Sequence, residues 1–438
     1  MWVDHPDFMN LVHRVWSIPY DGRHPHVVIG KLKNLKKALK SWNYEVFGDL
    51  NANISRKSAE LRVILVDQTA IRDHIVRFYV DLFSSDSDLI DLDLSIVDDI
   101  VPSLVSQEEN SLLVAILSAD VIHEAVFAMD ALSTPGSDGF SGRFFQLCWE
   151  IVGRDVILAV HDFFHSRVVT PGLNSNFIVL LPKMRDSITI GQFRPIVLEI
   201  GTLRIVLPSH PIVLMCFIRN AMGGNVAMKI DIHKAFDTLD WKFLCRVLRA
   251  FGFSQTFMGW IVGILGSLKL SVLINRSPAG YFGCSRGVRH GDPLSPILFG
   301  IAKDFLSKLL SRMVASDQFL PISSQRGFSA PTHLLYADDV LIFCRGTVRN
   351  LRRVVHAFRV YGSISGQLVN WTKSSIFFRS SVSPAPISSL QSLVGMQIGR
   401  LPFSYLGVPL FRGKPTKLVL MLIEDKILPK FAKWKDGY

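Results

Sequence analysis

The sequence lacks paired cysteines, and this absence excludes two common kinds of site. Its five cysteines lie far apart, without a Cys-x-x-Cys pair or a cluster with histidine, at Cys148, Cys216, Cys245, Cys284 and Cys344. Zinc fingers and zinc knuckles need closely spaced ligands, so neither is predicted. The odd, scattered set also predicts reduced thiols in an intracellular protein rather than a disulfide framework.

Signals for secretion and membrane insertion are missing as well. The first residues, Met1–His5, have neither the basic nor the apolar region of a signal peptide. The longest apolar stretch, Ile205–Ile218, contains Pro208, His210 and Pro211 and is too short to span a bilayer. We therefore predict a protein of the nucleus or cytoplasm with no membrane partner.

Acidic residues are outnumbered by basic ones, 37 against 48, which gives a formal net charge of +11. Hydrophobic residues make up 49% of the sequence, enough for a large core in two or three structural units. A basic surplus of this size favours a polyanionic partner, nucleic acid first and an anionic membrane surface second.

The most basic segment is a predicted helix over residues 31–46. Its apolar residues form one stripe and lysines cover the rest; the stripe is Leu32, Leu35, Leu39, Trp42 and Val46. Two interpretations stay open, a face that follows phosphates and the more common solvated helix face. Another helix is predicted over Ile71–Phe83, followed by an acidic linker over Ser84–Asp99 and a helix from Ala119 to about Leu132.

The central feature of the sequence is the run Tyr336-Ala337-Asp338-Asp339 between two apolar, β-prone segments. Such a pattern predicts a hairpin with the two acids at its turn. Adjacent carboxylates between buried strands are unfavourable unless a cation lies on them, and oxygen-only ligands suit Mg²⁺ or Mn²⁺. The alternative is an ordinary Asp-rich turn.

A third acid, Asp231, ends a predicted strand over Val226–Ile232, just before a helix predicted over His233–Phe251. On that helix Asp237 and Asp240 are predicted to be exposed or capping. If the fold brings Asp231 beside Asp338 and Asp339, the three can hold two Mg²⁺ ions about 4 Å apart.

Basic residues stand at two further predicted elements. A hairpin of Asn176–Lys183 and Phe193–Leu198 offers Lys183 and Arg194 to a triphosphate, although each alone is also a typical surface charge. Arg286 and Arg289 precede a long helix that Asp292 caps and Pro293 opens, and a helix N-terminus favours phosphate.

Eight motifs follow one another in a recognisable order. They are Pro135–Phe140, Leu181–Lys183, Phe193–Ile196, Lys229–Asp231 with Lys234–Asp237, Arg286–Pro296, Tyr336–Asp339, Asn370 with Lys373, and Pro402–Pro409. The ordered set resembles the reverse transcriptase of plant LINE-type non-LTR retrotransposons, over about residues 100–438. Residues 1–83 resemble the segment that joins the endonuclease of that family to its polymerase.

The resemblance implies an α+β, right-hand polymerase fold of fingers, palm and thumb, in which helices flank an antiparallel palm sheet. It implies RNA-directed DNA polymerase activity, the two-metal transfer of deoxynucleotides (dNTPs) to the 3′-hydroxyl of a DNA primer on an RNA template. The implied domains are a basic helical linker (1–83), an acidic linker with an N-terminal extension helix (84–130), the reverse transcriptase domain (131–410, with fingers 131–225 and palm 226–410), and a truncated start of the thumb (411–438).

The resemblance also assigns roles to residues at the reaction centre. Asp231, Asp338, Asp339 and the backbone carbonyl of Ile232 would bind the metal ions. Lys373 would approach the pyrophosphate as a general acid.

Other roles concern the nucleotide and the primer. Phe236 would be a steric gate against ribonucleotides, with ordinary core packing as the alternative. The remaining assignments are Arg194 and Lys183 to the triphosphate, Arg289, His290 and Gly291 to the nucleotide and template, and Tyr405, Leu406 and Gly407, within a hairpin over Leu401–Leu410, to the primer grip.

The sequence departs from the family pattern in ways that leave two functions open. The family usually has Gln where His290 stands, and its chain is much longer between Leu198 and Lys229 and near Asp67. The endonuclease, the RNase H-like region and the zinc knuckle of the family are absent. The sequence therefore predicts either a truncated reverse transcriptase or a catalytically inactive remnant that at most binds nucleic acid.

Overall fold

The chain forms two compact units. One comprises residues 1–91, 102–209 and 236–299, and the other comprises residues 92–101, 210–235 and 300–438. The computed structural model describes residues 5, 7–47, 68–84, 94–131, 139–184, 187, 189–198, 225–275, 277–289, 292, 294–322, 331–336, 338–378, 388, 391–392, 395–399, 403–405 and 408–410. Both units are discontinuous in sequence, so each takes its elements from separate parts of the chain.

The described α-helices are distributed over both units. In chain order they are α1 (Phe8–Trp16), α2 (His24–Phe47), α3 (Gln68–Phe83), α4 (Ser95–Ile100), α5 (Gln107–Leu113), α6 (Ala119–Phe127), α7 (Gly142–Leu147), α8 (Trp149–Ser166), α9 (Ala235–Thr238), α10 (Trp241–Phe251), α11 (Gln255–Gly266), α12 (Leu294–Ala315) and α13 (Val348–Ser365). None of the helices in the described residues is long and apolar enough to cross a membrane.

The described strands form three sheets. In chain order they are β1 (Ser175–Pro182), β2 (Phe193–Leu198), β3 (Asn225–Asp231), β4 (Lys269–Ile274), β5 (Ser277–Gly283), β6 (His333–Tyr336), β7 (Asp339–Arg345), β8 (Ser375–Phe378), β9 (Gln397–Ile398), β10 (Phe403–Tyr405) and β11 (Val408–Leu410). The strand orders are β2-β1-β4-β5, β6-β7-β3-β8-β9 and β10-β11. Antiparallel neighbours predominate; β1 with β4 and β8 with β9 are parallel.

The predicted basic helix near the N-terminus is confirmed as α2. The residues Leu32, Leu35 and Leu39 of its apolar stripe are buried, in a core that α1, α7 and α8 also line. Burying three leucines stabilises this layer by several kcal/mol, at about 2 kcal/mol for each. The side chain of Val46 lies outside the described part of the chain.

The predicted helix Ile71–Phe83 is confirmed as α3, and it covers the sheet of the first unit. Its stripe, with Tyr79 and Phe83, packs against Ile178 of β1 and Leu270 and Val272 of β4. The predicted hairpin of Lys183 and Arg194 is confirmed too, because β1 and β2 pair antiparallel.

The sheet of the second unit has β3 at its centre, with β7 on one side and β8 on the other. Alternate residues of a strand point to opposite faces. One face of this sheet is fully buried; its members include Met228, Ile230, Val340, Ile342 and Ile376. The opposite face includes Ala227, Leu341 and Phe343 and ends in acids, so its polarity changes along the strands.

The single helix predicted over His233–Phe251 is wrong, since the chain forms α9 and α10 with a break between them. Asp240 causes the break: its Oδ1 accepts the Phe243 N–H at 2.9 Å and caps α10, as predicted. The expectation that Asp237 is exposed is wrong, because only 4% of it is accessible. Gly252, with φ of 95°, ends α10 as predicted.

Two further boundaries need correction. Helix α6 begins after its Ser118 cap as predicted but ends at Phe127, where the chain turns through Ala128, and not near Leu132. The predicted linker Ser84–Asp99 contains most of α4, whose Val97 is buried, so this part of the acidic stretch is helical.

Candidate active site

The structure brings the mid-chain aspartate beside the distant acidic pair. Asp231 is the last residue of β3, and Asp339, more than a hundred positions later, is the first residue of β7. The two strands pair antiparallel, with Asp231 opposite Asp339 at the end of the ladder. Asp338 precedes β7 in the turn and is exposed. Three acidic residues thus lie at one end of the paired strands β3 and β7, in the sheet of the second unit.

Strand geometry also places a lysine on the acid-bearing face. Lys229 lies two residues before Asp231 and therefore shares its face. The Lys229 Nζ is 3.6 Å from Oδ1 of Asp339. Tyr336, on β6, pairs with Asp339 from the other side and is exposed. Asp339 is therefore directed toward a cation of the protein itself.

The pKa of Asp231 is raised above its ordinary value. Burial is the largest cause; the nearby charge of Lys373 opposes it, and those of Asp338 and Asp339 add to it. A half-buried carboxyl near two others is electrostatically unfavourable in its ionised form. A cation bound here would reverse that penalty.

The donor set fits a hard divalent ion by chemistry and by backbone placement. Carboxylate oxygens are the ligands that Mg²⁺ and Mn²⁺ prefer. In the described residues, however, no group of three or more His, Cys, Asp or Glu side chains is arranged so that it could hold a metal ion. Because Asp339 faces Lys229, an ion shared by the three carboxylates would require the Asp339 side chain to rotate away from Lys229. Ile232 follows the last residue of β3. Its carbonyl lies between backbone groups of Asp231 and His233 that are hydrogen-bonded.

The segment after α13 holds the backbone of Asp231 on both sides. The N–H of Asp231 donates to Oγ of Ser374 at 3.0 Å, and the N–H of Asn370 donates to the Asp231 carbonyl at 2.8 Å. Ser374 Oγ in turn donates to the Asn370 carbonyl at 2.8 Å. Sequence reasoning missed this role of Ser374, because nothing in its local pattern points to a residue 143 positions away.

A second buried contact supports the turn after β3. The Nε2 of Gln367 donates to the carbonyl of Ala235 at 2.7 Å, and its Oε1 accepts the hydroxyl of Tyr361. Gln367 is only 1% exposed. The residue anchors the turn that follows Asp231 to the end of α13. It was also missed, since a polar residue after a helix-ending glycine is typical of an exposed loop.

Lys303 of α12 is an unexpected cation near the acids. It is 5% exposed, and its Nζ lies 5.8 Å from the centre of the Tyr361 ring. Burial lowers the pKa of Lys303 to about 7, and the charge of Asp338 opposes this shift. The sequence held a signal, because Lys303 falls on the same helical face as the buried residues Phe299 and Leu306.

Lys373, the predicted general acid, is exposed, and its charge favours ionisation of Asp231. Its N–H donates to Asn370 Oδ1 at 3.2 Å, so it belongs to the segment that holds Asp231. Its catalytic role stays a prediction.

The residues predicted to meet the triphosphate lie in the first unit. Arg194 is exposed on β2 opposite Leu181. Lys183, just after β1, is exposed and donates from Nζ to the carbonyl of Gly191 at 3.0 Å. The two charges are on one hairpin, and their contact with a nucleotide stays a prediction.

Arg289 occupies a buried ionic cluster. Its guanidinium donates to Oδ2 of Asp292 at 2.6 Å and to Oδ1 of Asn174 at 2.8 Å. The other oxygen of Asp292 accepts the N–H of Leu294 at 2.8 Å and caps α12 as predicted. Arg289 therefore fixes the start of a helix; nucleotide contact by Arg289 stays a prediction. His290 and Gly291 lie outside the described residues.

Phe236 is half-buried at the start of α9. Its ring stacks on Phe299, with centroids 4.1 Å apart and planes 10° from parallel, and its carbonyl accepts the N–H of Val288 at 2.7 Å. This stack agrees with the core-packing interpretation, and the steric gate stays a prediction. In the predicted primer grip, Tyr405 of β10 pairs with Val408 of β11, so the hairpin is confirmed, while Leu406 and Gly407 lie outside the described residues.

The family of the chain follows from comparison with known proteins. The model of the family "Reverse transcriptase (RNA-dependent DNA polymerase)" matches residues 184–410, just over half of the sequence. The chain therefore belongs to the reverse transcriptase family, as the motif order predicted. The mixture of helices with largely antiparallel sheets is that of its right-hand polymerase fold, so the predicted fold class is confirmed.

Curated relatives come from transposable elements. The chain is 26% identical over 407 residues to the transposon TX1 uncharacterized 149 kDa protein of Xenopus laevis, covering 85% of this chain and 30% of that protein. It is 31% identical over 144 residues to the Pol polyprotein of the type-1 retrotransposable element R2 of Popillia japonica, covering 32% and 22%. These relatives support the non-LTR branch of the family. The chain spans less than a third of the length of either.

Two solved telomerase structures align over smaller parts. The apo enzyme of Candida tropicalis shares 16% identity with a TM-score of 0.27, covering 35% of this chain and 30% of its own. The enzyme of Candida albicans shares 13% with a TM-score of 0.29, covering 42% and 29%.

Proposed function

We propose that this chain is the RNA-directed DNA polymerase domain of a LINE-like retroelement of the plant type. It would transfer dNTPs to the 3′-hydroxyl of a DNA primer paired with an RNA template. The observation that carries the proposal is the pairing of Asp231 with Asp339, next to Asp338, within the part of the chain that the family matches. Reverse transcriptases use divalent metal ions, and three acids at one strand end suit them.

In this proposal the acids Asp231, Asp338 and Asp339, with the carbonyl of Ile232, hold two Mg²⁺ or Mn²⁺ ions. When bound, the pair supplies a Lewis acid that activates the 3′-hydroxyl and stabilises the leaving pyrophosphate. The chain must release Asp339 from Lys229 before the carboxylates converge, and Lys229 then neutralises negative charge nearby. The hydrogen bond that the Asp231 N–H donates to Ser374 and the one that its carbonyl accepts from Asn370 would keep the backbone fixed while the side chain rotates.

The remaining roles concern the substrate. Lys373, exposed beside Asp231, would donate a proton to the leaving pyrophosphate. Arg194 and Lys183 would bind the triphosphate, and Phe236 would exclude a 2′-hydroxyl. Arg289, His290 and Gly291 would line the nucleotide and template, with Arg289 also held by Asp292 at the start of α12. Tyr405, Leu406 and Gly407 would hold the primer end.

Primer extension by the full chain tests the proposal. A labelled DNA primer on an RNA template, with dNTPs and Mg²⁺, should be extended by the wild type. Asp338→Ala should lower the rate by about a thousandfold or more, since a metal ion contributes several kcal/mol. Asp120→Asn removes an exposed carboxylate in the first turn of α6 and should extend as the wild type does. Equal extension by wild type and Asp338→Ala would contradict the proposal.

One observation favours a second candidate, an inactive remnant that binds nucleic acid. The carboxylates are not assembled as a metal-binding group in the described residues, and Asp339 is paired with Lys229. Under this alternative the wild type binds RNA in a salt-sensitive way but extends no primer at any Mg²⁺ or Mn²⁺ concentration.

A further inference from the structure

The exposed face of α2 carries a regular basic stripe. Lys33, Lys37 and Lys40 follow His26 and Gly30 at steps of three and four residues, the spacing of one helix face. Each of the three lysines lies two residues before a member of the apolar stripe, and two residues correspond to about 200° around a helix. The burial of that apolar stripe therefore turns the lysines outward, and all three are exposed.

These lysines are not engaged by the protein in the part of the chain that the structure describes. The neighbouring Lys31, in contrast, pairs with Asp155 at 2.7 Å. A helix face whose cations are spaced over about 21 Å from His26 to Lys40, at 1.5 Å per residue, is long enough for several phosphates. A solvated face explains such charges equally well, so a second feature is needed to separate the two interpretations.

That feature is a cavity at the start of the stripe. A cavity of about 460 Å³ is lined by an aromatic ring, three basic side chains, an acid and small or apolar residues: Tyr20, Asp21, Gly22, Arg23, His26, Ile29, Gly30, Lys33 and Pro171. The Tyr20 ring lies directly on Gly30, so that a methyl group added at Gly30 would collide with it. Tyr20 is nevertheless 44% exposed. The ring is fixed against the helix backbone with much of its surface accessible.

We propose that this cavity and the basic stripe of α2 form a binding site for single-stranded nucleic acid. An unstacked base would enter the cavity and stack on Tyr20, and the phosphates that follow would lie along Lys33, Lys37 and Lys40. Stacking on an exposed aromatic ring beside a basic track is the usual chemistry of single-strand recognition. A duplex cannot offer an unpaired base, so the cavity favours a single strand. Acidic groups lie at one side of the cavity, where Asp21 lines it and Arg23 pairs with Asp162 at 3.2 Å. They disfavour anions there, so the phosphates would follow the side that carries the lysines.

Binding of a fluorescent single-stranded 20-mer to the full chain, followed by anisotropy without dNTPs, tests this site independently of polymerase activity. Tyr20→Leu removes the ring but no charge and should weaken binding about tenfold with an unchanged salt slope. Tyr20→Phe keeps the ring and should bind as the wild type does. The triple variant Lys33→Ala, Lys37→Ala and Lys40→Ala should lower the slope of log Kd against log salt by about 2.

A matched control lies on α13, where Arg349, Arg352 and Arg359 form another exposed basic stripe. Changing these three to alanine removes the same charge and should affect Kd less than twofold. Equal losses in both triple variants, or no loss in Tyr20→Leu, would overturn the proposal in favour of unspecific charge. RNA and DNA 20-mers of one sequence show which strand is preferred. Flotation with phosphatidylserine vesicles tests an anionic membrane as the alternative partner. If the triple lysine variant lost vesicle binding but kept RNA binding, the proposed nucleic-acid site would be overturned as well.

Discussion

The two units differ in how far their buried charges are compensated by neighbouring groups. In the first, Arg289 is buried but fully compensated, because its guanidinium meets Asp292 at 2.6 Å and the Asn174 amide oxygen at 2.8 Å. In the second, Asp231 is half-buried near Asp338 and Asp339, and its pKa is raised. The first cluster is complete within the protein and stabilises a helix start. The second contains a carboxyl whose ionised form is unfavourable, which is the condition in which a bound cation contributes most.

The comparison predicts its largest effect at Asp231. Replacing it with asparagine should abolish primer extension, a loss of about a thousandfold or more, if the acids hold catalytic ions. The same change should raise the melting temperature in EDTA, because it removes a carboxylate whose ionisation is unfavourable in the fold. A raised pKa means that the folded state binds more protons than the unfolded one, so stability falls as pH rises through that pKa.

The matching measurement is thermal unfolding of wild type and Asp231→Asn across pH, with and without Mg²⁺. The gain from Asp231→Asn should grow as pH rises and disappear when Mg²⁺ is added, because the ion should stabilise only the wild type. A destabilised variant under both conditions would mean that Asp231 is compensated like Arg289.

In the first unit, removing a buried charge should lower the stability instead of raising it. Arg289→Leu leaves Asp292 buried without its cation, which should cost about 3–5 kcal/mol of unfolding free energy. Urea denaturation measures it, with Arg194→Leu on exposed β2 as a control that should change stability by less than about 0.5 kcal/mol. A small loss in Arg289→Leu would show that Asp292 and Asn174 keep the helix start by themselves.

Lys303 is another buried charge of the second unit. Its pKa is lowered to about 7, mainly by burial, so the folded state carries fewer protons than the unfolded state between about pH 7 and the normal lysine pKa near 10.4. Stability should therefore increase with pH across this window. Lys303→Met should be more stable than wild type by up to about 4–5 kcal/mol at pH 6 and lose that advantage by about pH 10.5.

Denaturation curves at several pH values check this prediction. Lys308→Met is the matched control, since Lys308 lies on the same helix but is partly exposed and pairs with Asp304 at 3.3 Å. Its stability at pH 6 should differ from that of the wild type by less than about 1 kcal/mol, since partly exposed ion pairs contribute little. If Lys303→Met is less stable than wild type at every pH, the attraction between Lys303 and Asp338 outweighs the burial of the cation.

Sequence reasoning reached the elements and the acids but not what supports them. Asp231 was found because it ends an apolar strand, and its pairing with Asp339 was expected from motif order. The roles of Ser374 and Gln367 were missed because they depend on contacts across 143 and 132 positions, which leave no local pattern. The break at Asp240 was missed because the apolar period continues through it, whereas the cap that causes the break needs only one side-chain oxygen. The resemblance assigns Arg289 to the nucleotide, which stays a prediction; its buried pairing with Asp292 could not be predicted, because the spacing of the two residues does not reveal that both are buried.

Ser374 gives the smallest expected effect and tests whether the backbone of Asp231 must be held. Ser374→Ala leaves the N–H of Asp231 without its acceptor and should cost about 1–2 kcal/mol of stability. Because Asp231 would then be less well positioned, primer extension should lose kcat, with little change in the KM for dNTPs, and require more Mg²⁺ for half-maximal rate. Ser375→Ala, at the half-buried next position on β8, should change neither. A Ser374→Ala enzyme that is less stable but has the wild-type Mg²⁺ requirement would show that the hydroxyl contributes to folding alone. The hydrogen bond to the Asp231 backbone would then not be needed for the reaction.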